Sequence, residues 1–199
     1  MKTILQLNSS ILADNSQSNR LADEFVAALP YTDVIQRDLA RDPVPHLDAE
    51  RFTAFVTAKE KRTASQEKIV AYSDRLIDEL RRADTIVLGL PMYNFGLPSQ
   101  LKAYFDHVAR AGVTFKYTEK GAVGLLTGKK VYVVATRGGY YAGTPADTQT
   151  AYVRDFLAFL GITDVEFVYA EGLAIGESVK AASLAKARES LHNLVPALA

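Results

Sequence analysis

Two stretches constrain the fold more than any others. Ala83-Asp-Thr-Ile-Val-Leu-Gly-Leu90 and Lys130-Val-Tyr-Val-Val-Ala-Thr136 are apolar runs without clean in–out alternation. A strand with one wet face alternates, whereas a continuous apolar run of this length suits a strand covered on both faces. Such strands belong to parallel sheets held between helices. Residues 3–8, 32–37 and 164–170 read as further strands. Helices are expected over residues 20–29, 48–56, 65–82, 99–110, 150–160 and 177–194. Leu21, Phe25, Ala28 and Leu29 share one face of the first. Ile69, Tyr72, Leu76, Ile77 and Leu80 make the stripe of the third. Gly161 stops the fifth helix and Pro196 lies just beyond the sixth. Residues 113–121 alternate and then turn, a small hairpin-like excursion. Five strands alternating with helices predict an α/β three-layer sandwich with a parallel sheet. No internal repeat, low-complexity tract or linker breaks the pattern, so residues 1–199 are expected to form a single domain.

Composition narrows the function. Lys+Arg and Asp+Glu both number 23, so the formal net charge is zero, which argues against nucleic acid or an anionic membrane as the main partner. The same balance argues against a small electron carrier that steers its partners by charge. There is no cysteine, which excludes disulfides, thiolate catalysis and cysteine-bound zinc. The apolar run near Met1 is too short for a secretory signal, and no stretch approaches the length of a membrane span, so a cytoplasmic location is expected.

Three loops carry the candidate chemistry, each at the carboxyl end of an expected strand, where open α/β sheets collect ligands. The first, Pro91-Met-Tyr-Asn-Phe-Gly-Leu-Pro98, brings Met92, Tyr93, Asn94 and Phe95 together between two prolines. It suits a flat, partly polar ring, and taken alone it equally suits a rigid connector with packing aromatics. The second is the turn after the first strand, with Ser9, Ser10, Ser16, Gln17, Ser18 and Asn19 crowded before a helix. Free N–H groups at a helix N-terminus attract phosphate, and hydroxyls add donors without charge. Helix capping by Ser16 or Ser18 is the competing use, but a cap needs only one such residue. The third, Thr136-Arg137-Gly138-Gly139, lets backbone N–H groups approach a ligand, or forms an ordinary Gly-Gly turn. Phosphate, ring and polar edge form a set that matches FMN at the switch point of a 2-1-3-4-5 sheet.

Other constellations are weak. No Gly-x-Gly-x-x-Gly follows the first strand, and Gly124-Leu-Leu-Thr-Gly-Lys-Lys130 precedes a strand where a phosphate loop needs a helix. Asp106, His107 and Arg110 do not converge from one helix, His46 and His192 are isolated, and no spacing suggests a metal. No Gly-x-Ser-x-Gly elbow supports a hydrolase. Lys116, Lys120, Lys129 and Lys130 read as a solvated face, with nucleotide phosphates as their alternative partner.

Four stretches in order resemble one family. Ser9-Ser-Ile-Leu-Ala-Asp-Asn-Ser-Gln-Ser18, Pro91-Met-Tyr-Asn-Phe-Gly-Leu-Pro-Ser-Gln-Leu-Lys102, Ala111-Gly-Val-Thr-Phe-Lys-Tyr-Thr118 and Thr136-Arg-Gly-Gly139 resemble the bacterial FMN-dependent NADH azoreductases, also described as FMN-dependent NADH:quinone oxidoreductases. The resemblance runs from the first strand to Ala170-Glu-Gly172, nearly the whole chain. It implies a flavodoxin-like fold, non-covalent FMN, NADH or NADPH as donor, and a homodimer with active sites at the interface. It also implies that Ser10, Ser16, Gln17 and Ser18 hold the phosphate, and that Met92, Tyr93, Asn94 and Phe95 line the isoalloxazine. Thr136, Arg137, Gly138 and Gly139 would meet its pyrimidine side or rim, with Thr136 standing where the family often has Ser. Tyr117 and Phe159 would be aromatic walls for the substrate, supplied by the partner subunit. The implied reaction is ping-pong, two electrons passing from nucleotide to flavin N5 and then to a quinone or azo compound. No protein acid or base is required, in line with the lack of a His–carboxylate pair. The rival reading is a flavodoxin-like electron-transfer or flavin-sensing module without its own turnover.

Overall fold

The computed structural model describes residues 2–30 and 33–195. In chain order it contains β1 (Thr3–Asn8), α1 (Gln17–Ala28), β2 (Asp33–Asp38), α2 (Ala49–Val56), α3 (Ala64–Arg82), β3 (Thr85–Pro91) and α4 (Ser99–Val108). There follow β4 (Phe115–Thr118), β5 (Gly121–Gly124), β6 (Lys130–Thr136), α5 (Thr148–Phe159), β7 (Asp164–Ala170) and α6 (Glu177–Leu194). The start of the second strand at Thr32 and the stop at Pro196 lie outside the described residues.

Continuous apolar runs take the middle of the sheet, as double burial requires. β3 is buried along its whole length and β6 from its second residue onward. The order is β2-β1-β3-β6-β7 with every pairing parallel. Counting these five strands alone, it is the expected 2-1-3-4-5 order of a flavodoxin-like sandwich. The register sets Asn8 beside Gly89, Pro91 beside Thr136, and Thr136 beside Ala170. Four strand ends therefore finish along one carboxyl edge, and their loops rise together.

One face of the sheet packs α1 and α6 through Leu21, Ala22, Phe25, Leu184 and Leu191. The other packs α3, α4 and α5 through Leu76, Leu80, Leu101, Phe105, Val153 and Leu157. Truncating any of these buried leucines to alanine costs about 2–5 kcal/mol. The expected stripes are shifted in detail. Ala28 is exposed while Ala22 and Val26 are buried, and α3 buries Val70 and Ser73 while Ile69 and Tyr72 stay half-buried. Ser73 is buried because its hydroxyl donates to the His107 carbonyl at 2.6 Å, which ties α3 to α4.

One glycine positions the site and another the hairpin. A Cβ at Gly89 in β3 would lie 3.3 Å from Asn19 Oδ1 and 3.4 Å from the Ser18 carbonyl. Its absence lets the first turn of α1 sit close on the sheet. At the opposite, amino-terminal edge, a Cβ at Gly124 would lie 2.0 Å from the Gly161 nitrogen, so the β4–β5 hairpin packs backbone to backbone on the corner before β7. Leu126 N–H donates to the Leu160 carbonyl at 2.8 Å beside this contact. The hairpin is antiparallel and longer than expected, because the second strand carries glycine at both ends and no readable alternation.

Candidate cofactor site at the carboxyl edge

The turn after β1 is built from buried hydroxyls. Ser9 is fully buried, and its Oγ donates to the Gly89 carbonyl at 2.6 Å, fastening the turn to β3. Ser16 caps α1 by accepting the Asn19 N–H at 3.2 Å, so the helix begins at Gln17, three residues before the expected start. Capping does not use up its hydroxyl, since Ser16 Oγ also lies 2.9 Å from Ser18 Oγ. Ser10 Oγ lies 2.9 Å from the Tyr93 hydroxyl, so the serine turn and the 91–98 loop touch directly. Among the described residues the N–H groups of Gln17 and Ser18 have no protein acceptor, as first-turn donors should not. Ser16, Gln17 and Ser18 thus form one neutral donor cluster with the positive end of a helix dipole behind it, and Ser10 ties the same turn to the 91–98 loop.

The 91–98 loop is a tight reverse turn. Tyr93 and Gly96 exchange N–H···O bonds of 3.2 and 2.9 Å, with Asn94 and Phe95 at the tip. Both tip residues have positive φ, 49° and 61°. Asn tolerates this region but a bulky Phe does not, so the tip stores about 1 kcal/mol or more of strain. Phe95 is 56% exposed and meets Tyr141 edge to face at 5.6 Å. The loop is held from below, because Met92 N–H donates to the Thr136 carbonyl at 3.0 Å. It is also held by α5: Gln149 is fully buried and its Nε2 donates to the carbonyls of Pro91 and Gly96, both at 2.9 Å. The hydroxyl of Thr148 donates to the Phe95 carbonyl. Neither α5 residue is legible as a site residue from the sequence, because both precede the helix expected over residues 150–160.

The β6 loop divides into a rim and a brace. Gly138 and Gly139 present N–H groups that have no protein acceptor among the described residues. Their carbonyls accept from Ala174 and Gly172, both at 3.0 Å. Tyr141 lies over Gly139, where a Cβ would come within 2.9 Å of its ring and push the tyrosine aside. Arg137 was expected on the rim, and its side chain is not there. It is fully buried, with its guanidinium 2.8 Å from Asp147, 3.2 Å from Glu171, 3.2 Å from the Thr150 hydroxyl, and stacked over Tyr169. Burial raises the Asp147 carboxyl, but hydrogen bonds from Arg137 and Thr150 outweigh it and hold the group below its ordinary value. Glu171 in turn accepts the N–H groups of Tyr141 and Ala142, both at 2.8 Å. The side chain that the resemblance placed on the rim instead fixes the loop from behind.

Tyr117 and Phe159 sit elsewhere. Phe159 packs on Phe115 at 4.3 Å between ring centres, and Phe115 meets Tyr117 at 5.4 Å. This cluster belongs to the hairpin at the amino-terminal edge, separated from the three loops by the length of α4, about 15 Å. Tyr117 is 74% exposed beside an open groove of ≈610 Å³ lined by Leu47, Phe52, Val56 and Phe115. Lys129 is not a free surface cation: its ammonium donates to the carbonyls of Arg81 and Ala83 at 2.9 and 2.6 Å, capping α3, and Lys130 pairs with Asp164 and Glu166. In α4, Asp106 pairs with Lys102, and His107 is buried between Phe55 and Tyr72 and shifted down by that burial; the helix ends at Val108 and not at residue 110, and Arg110, just beyond it, pairs with Asp74. Among the described residues no group of His, Asp or Glu can hold a metal, and no helix is long and apolar enough to cross a membrane.

The site therefore offers neutral donors for a terminal phosphate, an aromatic and amide platform for a flat ring, and two free backbone N–H groups for a polar ring edge. FMN fits this donor set. The profile of a family described as "Flavodoxin-like fold" matches residues 2–195. An FMN-dependent NADH:quinone oxidoreductase of Cellvibrio japonicus is 56% identical over 190 residues, spanning 94% of this chain and 96% of its own. A relative of the same description, numbered 6, from Burkholderia lata is 56% identical over 195 residues, with 96% and 98% covered. The crystal structure of an FMN-dependent NADH-azoreductase from Bacillus anthracis, in complex with FMN, superposes with a TM-score of 0.86 at 28% identity, covering 98% of this chain and all of that one.

Proposed function

The chain belongs to the Flavodoxin-like fold family, and from that premise we propose that it works as an FMN-dependent NADH:quinone oxidoreductase that also reduces azo compounds. The observation that carries this reading is the meeting of three loops at one sheet edge, each suited to a different part of the same cofactor. When bound, FMN supplies the two-electron chemistry between NADH and the acceptor. The protein's task is to bind and orient. Ser10, Ser16, Gln17 and Ser18 hold the phosphate at the α1 N-terminus. Met92, Tyr93, Asn94 and Phe95 lie against the ring system. Thr136, Gly138 and Gly139 face the pyrimidine edge, where donors stabilise the negative charge that gathers on reduction. Arg137 serves the same loop from beneath. No side chain is assigned a proton.

The functional unit on this reading is a homodimer of single-domain chains, located in the cytoplasm, where its nucleotide donor is made. Two observations support the dimer. Tyr117 and Phe159 stand about one helix length from their own chain's loops, so they can reach a ring only in another copy. The groove beside Tyr117 leaves Leu47, Phe52 and Val56 exposed on one face. A carrier or sensing module without turnover is not favoured, since the named relatives are enzymes along nearly the whole chain. The test is reconstitution. Protein stripped of flavin should take up one FMN per chain and then, without oxygen, consume NADH beyond one equivalent per flavin only when a benzoquinone is supplied. A chain that binds no FMN, or binds it without quinone-dependent turnover, rules the reading out.

A further inference from the structure

Four consecutive residues at the start of α5 reach two different loops. Asp147 and Thr150 hold Arg137 at the base of the β6 loop, with contacts of 2.8 and 3.2 Å. Between them in sequence, Thr148 and Gln149 hold the carbonyls of Phe95, Pro91 and Gly96 in the 91–98 loop. Asp147 also accepts the Thr150 N–H at 3.1 Å, so the same carboxylate that pairs with Arg137 caps the helix. One rigid turn thus sets the distance between the proposed ring platform and the proposed pyrimidine edge. Gln149 is central to it. Its amide nitrogen bridges both ends of a loop whose tip, Asn94 and Phe95, is held at positive φ. Its Oε1 has no partner among the described residues, so the side chain is committed to those two carbonyls.

We propose that Gln149 is a positioning residue for the flavin platform: by clamping Pro91 and Gly96 it keeps the strained Asn94–Phe95 tip in the conformation that receives the ring. The proposal rests on the flavin reading above, and goes beyond it by assigning a function to a residue that touches no part of the expected cofactor. A strained turn persists only where its surroundings over-determine it. Without the clamp the tip relaxes, and binding must then restore the productive backbone, which weakens affinity.

The experiment compares wild type with Gln149→Met, Gln149→Glu and Val153→Ala, the last a core variant of the same helix that leaves the clamp intact. Amide exchange at Tyr93 and Gly96 in flavin-free protein reads the clamp itself. Flavin fluorescence quenching reads FMN affinity. Gln149→Met should speed both amides and raise the FMN dissociation constant about tenfold, as expected for losing buried hydrogen bonds. Gln149→Glu should be weaker still near neutral pH, where a carboxylate faces two carbonyls, and should recover as acidification protonates it. Val153→Ala should change affinity less than about twofold at a comparable loss of thermal stability. Unchanged exchange at Tyr93 and Gly96, or an affinity loss in Val153→Ala equal to that in Gln149→Met, overturns the proposal. Faster exchange in variants of a chain that binds no FMN in its wild-type form sinks the functional reading while leaving the clamp in place.

Discussion

Asn94 and Phe95 are where the site departs most from what side chains prefer. Both sit at positive φ, and Phe95 is also exposed, so neither strain nor exposure is explained by packing. Glycine adopts this backbone freely. Replacing Asn94-Phe95 by Gly-Gly should therefore leave stability within about 1 kcal/mol of wild type in urea titration, because relieved strain offsets added chain entropy. The same change should weaken FMN clearly, since the platform loses its ring and its amide. Equal loss in both would make the loop a packing element. Arg137 behaves in the opposite way. Its guanidinium is buried against Asp147 and Glu171, so Arg137→Met leaves two carboxylates unpaired and should cost about 3 kcal/mol of flavin-free stability. A loss confined to FMN affinity would return Arg137 to the rim. Arg137 entered the expected rim only through the family resemblance; its partners lie 10 and 34 residues away, and no local pattern announces such a pairing. The serines were more legible, because six polar residues before one helix exceed what a cap requires.

At the scale of elements, the apolar runs of β3 and β6 carried the parallel, doubly covered character of the sheet, since central parallel strands bury both faces; the strand order came with the switch-point argument and the family resemblance. Helix starts were less legible. α1 begins at Gln17 and α5 at Thr148, each before the first apolar residue of its stripe, because Ser16 and Asp147 act as caps. That shift matters at α5, where the missed first turn is the one that reaches both loops. The hairpin was half legible, β4 by its alternation and β5 not at all. Gly124 shows why β5 needs so little side chain: its backbone lies against Gly161 with no room for a methyl. Gly124→Ala should displace the hairpin and cost about 3 kcal/mol, measured by thermal or urea unfolding. A neutral result would mean that the hairpin does not depend on that corner.

For the whole molecule, the zero net charge and the exposed apolar face are the features on which the proposed dimer rests. If Tyr117 completes a partner's site, quinone turnover per chain should fall on dilution as dimers dissociate, tracking the weight-average mass in sedimentation. Tyr117→Ala should lower quinone turnover by about tenfold while FMN stays bound, as loss of an aromatic wall over the acceptor would do. Full specific activity in a demonstrably monomeric species would remove the partner from the mechanism. Sequence alone carried this only through resemblance, because no pattern within one chain reports which surface a second copy covers.

The central claim is that the three loops of the carboxyl edge hold FMN as a two-electron relay between NADH and a quinone. Anaerobic mixing of the flavin-loaded protein with one equivalent of NADH tests it most directly. The yellow absorbance of the bound flavin should bleach in a single rapid phase without quinone present, and should return in full when a benzoquinone is then added. A flavin that stays oxidised until NADH and quinone are present together, or that bleaches and is not reoxidised by the quinone, would contradict the account.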